Sequence, residues 1–316
     1  MDNLVAWLDR IDDCALGCVV HLGAGAGAVI EQYVALPAAR RPRQVVLVEG
    51  DPDMARSLER AAAAHPWARV LPTPVGAQGG PMPWNRFNLP LLNGPLDATA
   101  LTAVYPRLRR VQTTTVRCEA LSDVLTALDL KPETNERRVH VLVLDVPGQE
   151  SWLLAALAPE LLWRFHAIVL RGCRSVLPPH GQAAEAAPAL LVQQHFTPVA
   201  KESDGDTLWP AVLMRFDRTG HELAQLRRQV KQMDATLKER DRLLGELQVV
   251  TQAKGTAEKL AAERLAKTVE QDDRIRHLDT QLADANMRLE LLQQEVLKAE
   301  GQLTLMKELL LKEPSL

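Results

Sequence analysis

Two hydrophobic periodicities divide the chain. Up to Phe216, short apolar runs rich in β-branched residues alternate with stretches whose apolar positions recur every three or four residues. From Arg218 to Lys312 only a seven-residue repeat remains. In the first region, Leu4 to Leu16 carries Leu4, Val5, Leu8, Ile11 and Leu16 at near-helical spacing and predicts a lead-in helix. Val19-Val20-His21-Leu22 is a buried strand that runs into Gly23-Ala24-Gly25-Ala26-Gly27. A helix follows to about Leu36, closed by Pro37 and the Arg40–Arg43 cluster. Gln44–Glu49 is the second strand, Asp53–Ala64 a helix opened by Asp51-Pro52 and closed by His65-Pro66, and Arg69–Leu71 a short third strand. Further strands are expected at 110–116, 139–145 and 167–171, with helices at 121–128, 152–162 and 183–194 and a polar loop at 131–138. Residues 196–200 and 207–215, on either side of Lys201–Asp206, read as a closing β-hairpin. Strand–helix alternation of this kind gives one α/β domain, residues 1–217.

The stretch Pro72–Pro95 fits neither period. Six prolines and four glycines exclude a helix. It also holds Trp84, Phe87, Asn85, Asn88 and Asn93, so two readings stay open: a substrate lid, or an irregular surface hairpin.

The tail, residues 218–316, is a separate object. Leu223, Leu226, Val230, Met233, Leu237, Arg240, Leu244 and Leu247 form one heptad seam. Ile275, Leu278, Leu282, Ala285, Leu289, Leu292, Val296, Ala299, Leu303, Met306 and Leu310 form another. The two are out of phase: counting from Leu223 as an a position makes Ile275 a d, whereas the second seam uses it as an a. Thr251, Lys254, Glu258 and Asp272 fall on the expected stripe between them, and Gly255 weakens the helix, which predicts a stutter or hinge over 251–272. Unbroken, the helix is on the order of 140 Å long at about 1.5 Å per residue; a hinge lets its halves fold back on one another. An exposed leucine stripe needs cover, and the expectation is intermolecular pairing, with a copy of itself or another protein. A parallel dimer is compatible, but the a and d residues do not fix the order.

Composition narrows the partners. Apolar residues are 47 % of the chain, enough for a sizeable core, and the formal net charge is −3 with no basic block, so nucleic acid is not an expected partner. Cys14, Cys18, Cys118 and Cys173 form no Cys-x-x-Cys pair and no zinc spacing, so no metal site is predicted. Asp2, Asp9, Asp12 and Asp13 stand where a secretory signal would be basic and then apolar, and no run of about 18 apolar residues exists. A soluble, cytoplasmic protein is expected.

The chemistry gathers at strand ends. Glycines at 23, 25 and 27 between a strand and a helix bring backbone N–H groups close to a nucleotide-like ligand. Glu49 ends the second strand 22 residues after Gly27, where a carboxylate accepts ribose hydroxyls. Asp145 ends a later strand, and Asp145-Val146-Pro147-Gly148-Gln149-Glu150 places two carboxylates at the sheet edge where ligands bind. Either one is a candidate base or hydroxyl ligand, with a helix-start role open for Glu150.

The glycine loop, Val-Glu-Gly-Asp-Pro at Val48–Pro52, Thr115–Leu125 with its Leu-Ser-Asp-Val-Leu, and Leu-Asp-Val-Pro-Gly-Gln-Glu at Leu144–Glu150 occur in this order. Together they resemble the FkbM-type methyltransferases, class I enzymes dependent on S-adenosylmethionine, over residues 15–216. The resemblance implies a Rossmann-like sheet with a closing hairpin and O-methylation of a sugar, glycan or small metabolite. It places His21, Gly23, Gly25, Gly27 and Glu49 at the cofactor, and Asp145 and Glu150 at the reaction cleft. The sequence departs from the family at His21 (usually an acid), Leu144 (usually lysine), Pro147, and Arg171 (commonly glutamate). These departures motivate an alternative, a catalytically inactive scaffold that recruits partners through its coiled coil. A third reading, a nicotinamide-dependent oxidoreductase, rests on Gly23-x-Gly25-x-x-Ala28 and Glu49.

Overall fold

A computed structural model of the chain describes residues 4–11, 15–130, 138–201 and 208–310. Cys14, the polar loop at 131–137 and most of the 201–206 turn therefore lie outside the described residues. The chain divides into two compact units, Met1–Leu226 and Arg227–Leu316.

The first unit is built on a seven-stranded sheet. In chain order its elements are β1 (Ala15–Leu22), α1 (Ala28–Ala35), β2 (Gln44–Val48), α2 (Pro52–Ala62), β3 (Ala68–Leu71), β4 (Val75–Gly76), β5 (Gly80–Phe87), β6 (Arg110–Ala120), α3 (Leu121–Ala127), β7 (Arg138–Leu144), α4 (Glu150–Ala155), α5 (Pro159–Leu162), β8 (Ala167–Arg171), α6 (Ala186–Gln193), β9 (Phe196–Lys201) and β10 (Ala211–Phe216). The main sheet runs β3-β2-β1-β7-β8-β10-β9. Its first five strands are parallel, and β10 pairs antiparallel with both β8 and β9. This is a doubly wound, Rossmann-like α/β sheet closed by the expected hairpin.

Alternate residues of the buried strands face opposite layers, as a period of two requires. Val20, Leu22, Val46, Leu142, Leu144 and Ile168 pack on one side with Leu121, Leu154 and Phe165. Val19, Val45, Leu47, Val141, Val143 and Val169 pack on the other with Leu8, Ile30 and Tyr33. Strand order and burial put the C-terminal ends of β1, β2 and β7 side by side.

Two local expectations are corrected. The lead-in element is a 3-10 helix, Leu4–Arg10, and Leu16 belongs to β1, fully buried. Arg40 caps that turn by donating to the Leu8 carbonyl. The proline-rich stretch is more regular than expected: Gly80–Phe87 is a full strand, in a second sheet of order β4-β6-β5. Pro81 and Pro83 are tolerated because β5 is an edge strand. Asn85, two residues on and so of the same parity, sends its N–H away from β6 to the Gly94 carbonyl at 2.7 Å. The missing proline N–H groups thus belong to the outer edge and cost the β5–β6 ladder nothing.

α7 (Arg218–Leu310) starts within the first unit. Asp217 caps it, its Oδ1 accepting the Gly220 N–H at 2.9 Å, and buried His221 packs its ring 4.2 Å from that of Trp163. Helical structure continues without interruption through 251–272, so the expected hinge is absent. The phase change between the seams is a stutter within one helix. In the second unit the seam residues are about half exposed, Ile275 at 55 % and Leu278 at 52 %. No described helix is long and apolar enough to cross a membrane.

Candidate active site

The loop after β1 is held by three contacts with neighbouring strands. Gly23 N–H and Ala24 N–H both donate to the Val48 carbonyl at the end of β2, at 2.9 and 3.2 Å, and Asp145 N–H donates to Leu22 at 2.9 Å. Gly23 has φ +77°, and a Cβ on it would lie 2.1 Å from the Asp145 carbonyl oxygen, so no side chain fits. Gly27 has a different reason: its Cβ would meet that of Ala61 at 2.8 Å, where α1 and α2 pack together. A Cβ on Gly25 would meet nothing within 4 Å, and the Gly25 N–H donates to Glu49 Oε2 at 2.7 Å.

Glu49 is thereby drawn across from β2 to the glycine loop. Its other oxygen, Oε1, accepts the Asp51 N–H at 2.8 Å. Only 7 % of the residue is exposed. Burial raises its pKa and the adjacent Asp51 charge acts the same way, while the N–H bonds from Asp51 and Gly25 oppose the rise. With a further backbone N–H bond from Gly50, three of the carboxylate's roughly four acceptor sites are taken by the backbone and one stays open.

A cavity of about 210 Å³ opens at this edge. Leu22, Gly23, Val48, Glu49, Asp145 and Val146 form the strand-end wall. The opposite wall comes from the segment after β3: Thr73, Val75, Trp84 and residues 90–96, with Leu177 and Trp209. Part of the proline-rich stretch therefore lies over the sheet edge. It is tied down by amides. Asn93 donates to Asp51 Oδ2 at 2.7 Å and accepts the Phe87 N–H at 2.7 Å. Asp51 Oδ1 meanwhile caps α2, accepting from Asp53 and Met54. Asn85, buried, donates to the Leu96 carbonyl at 3.1 Å and accepts from Thr113 at 2.8 Å.

The two proposed catalytic carboxylates fare differently. Asp145 lies on the cavity wall, but both its oxygens are 3.2 Å from Arg171 Nη1. Burial raises its pKa and the guanidinium opposes the rise. The Arg171 side chain is 5 % exposed, so this pair is sheltered from solvent. Glu150 does not line the cavity. Both its oxygens turn back to the Gly148 N–H at 3.0 Å, inside the protein, and burial pushes its pKa up to about 8.

His21 also stands away from the cavity. It shares the face of Val19, and its Nδ1 lies 3.0 Å from the Tyr33 hydroxyl on α1. Burial first, then Arg171, holds it neutral, with a pKa lowered to about 3. The structure thus brings Gly23, Glu49 and Asp145 to one wall, links Gly25 to it through Glu49, and leaves His21, Gly27 and Glu150 in supporting positions. Asn93 and Trp84 were expected only as parts of the lid-or-hairpin stretch, and Arg171 only as a departure from the family pattern. Asp51 stood out only as a helix start, and nothing in the local pattern pointed to Trp209.

No protein-family model matches the chain, and no curated protein matches it. Among solved structures, the chain is similar to TrmK of M. capricolum in complex with S-adenosyl-homocysteine (6 % identity, 69 % of each chain, TM-score 0.34). It is similar to the human methyltransferase 10 domain containing protein (12 % identity, 68 % of this chain and 80 % of that one, TM-score 0.37). It is also similar to the magnesium protoporphyrin IX methyltransferase of Synechocystis with bound S-adenosylmethionine (12 %, 68 % and 77 %, TM-score 0.31).

Proposed function

We propose that the first unit is an S-adenosylmethionine-dependent methyltransferase. The observation that carries this reading is Glu49: a buried carboxylate at the end of β2, fixed by the Gly25 and Asp51 N–H groups, on a cavity wall, with an acceptor site left for a ribose hydroxyl. The open space over Gly25 and the tight crossing at Gly23 suit a ligand lying along the loop. The cofactor would supply an electrophilic methyl group on sulfur. Glu49 would hold a ribose hydroxyl and Gly23 would line the methionine side.

Trp84, Leu91, Leu92, Leu96, Leu177 and Trp209 line the cavity, and beside Glu49 and Asp145 its polar side chains are Thr73, Asn93 and Gln149. A glycan needs many more polar partners than this. Both oxygens of Asp145 are engaged by Arg171, so the carboxylate has little freedom to take a proton and the acceptor oxygen must give up its own readily. We therefore favour a small apolar, ring-bearing compound with an acidic hydroxyl, phenolic or carboxylic, over a sugar. The residues then act by orienting the acceptor and excluding water.

Isothermal titration with S-adenosylmethionine tests the reading. Saturable binding is expected, with at least a tenfold loss on Glu49→Gln, whose NH2 group must face one of the backbone N–H donors that the two carboxylate oxygens accept. Failure of the folded parent to bind, or stronger binding of NADH, refutes it. The Asp145–Arg171 pair also favours a second reading, a head that binds the cofactor without transferring its methyl group. Transfer of labelled methyl to any compound in a phenol and carboxylic acid panel excludes that second reading.

A further inference from the structure

We propose that the exposed seam of α7 is covered by a second copy of the same helix, running antiparallel and centred on Ala261. This does not depend on the methyltransferase reading.

Continuity of the helix through 251–272 prevents the seam from folding back on its own other half. A leucine stripe half exposed over both seams therefore needs another chain. The phase change identifies which one. Ala261 lies midway between Leu247, the last residue of the first seam, and Ile275, the first of the second. Pairing each residue with the one equally far beyond Ala261 on a second copy puts every a position of the first seam against a d of the second. Both phase changes then coincide at the two-fold axis. Within the break, Ala253, Ala257, Ala261, Leu265 and Val269 recur every four residues, symmetrically about that point. Ala253 meets Val269, Ala257 meets Leu265, and Ala261 meets its own copy.

Side-chain size and charge select the same arrangement. Antiparallel pairing sets Leu237 against Ala285 and Leu223 against Ala299, large against small in each layer. A parallel in-register pair would stack Ala285 and Ala299 each on itself and leave gaps, whereas the antiparallel one does so only at Ala261. It would also bring Arg240, a core d position, against Arg240 of the copy, whereas here it meets Leu282. Register follows from the flanking e positions. Centring on Ala261 brings Arg227 diagonally near Glu300, five residues past the position directly opposite; a slide of one heptad towards the C-terminus would bring Arg227 near Lys307 and Asp234 near Glu300, like charge on like. A pairing centred further along covers only the second seam and leaves Leu223–Leu247 bare.

The test is a spin-label distance in the full chain carrying Thr280→Cys, at an exposed position off the seam, with labelling of the parent chain as background. Thr280 is 19 residues from Ala261, so the two labels should lie about 57 Å apart at about 1.5 Å per residue. A parallel pair gives a distance under about 25 Å, and a one-heptad slip moves it by about 10 Å. A distribution centred near 57 Å, with a dimer by light scattering, supports the proposal. A short distance, a slipped one, or a monomer overturns it.

Discussion

Replacing Glu150 by glutamine separates a structural carboxylate from a catalytic one. The side chain is buried, bonded at 3.0 Å to the Gly148 N–H through both oxygens, and absent from the cavity wall. Its folded-state pKa of about 8 stands well above the ordinary 4.5. Between those values the folded protein holds a proton that the unfolded chain has released, so this group's contribution falls as pH rises through that window. At about 1.36 kcal/mol per unit, moving from pH 5.5 to 8 removes about 3 kcal/mol from the parent and nothing from Glu150→Gln. Urea unfolding of both proteins at the two pH values measures this directly. The variant should be more stable than the parent at pH 8 by about 3 kcal/mol more than at pH 5.5. It should bind S-adenosylmethionine as the parent does. An equal difference at both pH values refutes the electrostatic argument. A folded variant that binds cofactor but has lost methyl transfer refutes the structural assignment and returns Glu150 to the reaction.

The sheltered ion pair should behave as a unit: Arg171→Met alone should cost about 3–5 kcal/mol by stranding Asp145, and Arg171→Met with Asp145→Asn should recover much of it, in a double-mutant cycle by urea unfolding. Asn93→Ala should free the cavity-covering segment from α2. Amide exchange over 88–98 should speed up at least tenfold while β1, β2 and β7 keep their protection, measured by hydrogen–deuterium exchange.

The centre of the parallel sheet was legible because β1, β2, β7 and β8 are buried on both faces over most of their length. Continuous apolar runs such as Val45–Val48 and Val141–Leu144 have no other stable use. Glu49 was legible for a related reason, since a strand end at a fixed distance from the glycine loop has one place to go. The β5 strand was hidden because Pro81 and Pro83 look like breakers until the edge they sit on is known. His21 misled for the opposite reason. Its place in the motif is right, but the strand's alternation turns its ring towards Tyr33 on α1, away from the ligand edge. Glu150 misled in the same way: the Gly148 turn, at φ +90°, brings its own N–H within reach of the carboxylate and draws it inward.

Four carboxylates meet at this sheet edge, and each is held differently: Asp51 is spent on the α2 cap and on Asn93. Asp145 has a guanidinium beside it, and Glu150 has a turn N–H and, near neutral pH, a proton. Glu49 has only backbone dipoles; among the described residues no cation pairs with it. Its charge is therefore the one left to act on the cavity. A hydroxyl or a positively charged group gains from that carboxylate in a site walled by Trp84 and leucines, where the low dielectric strengthens the attraction. A ligand bringing a second anion to the same wall would meet Glu49 uncompensated. That asymmetry favours a cationic, ribose-bearing cofactor over an anionic pyrophosphate. Binding of S-adenosylmethionine ahead of NADH is thus an electrostatic expectation of the site, independent of any motif.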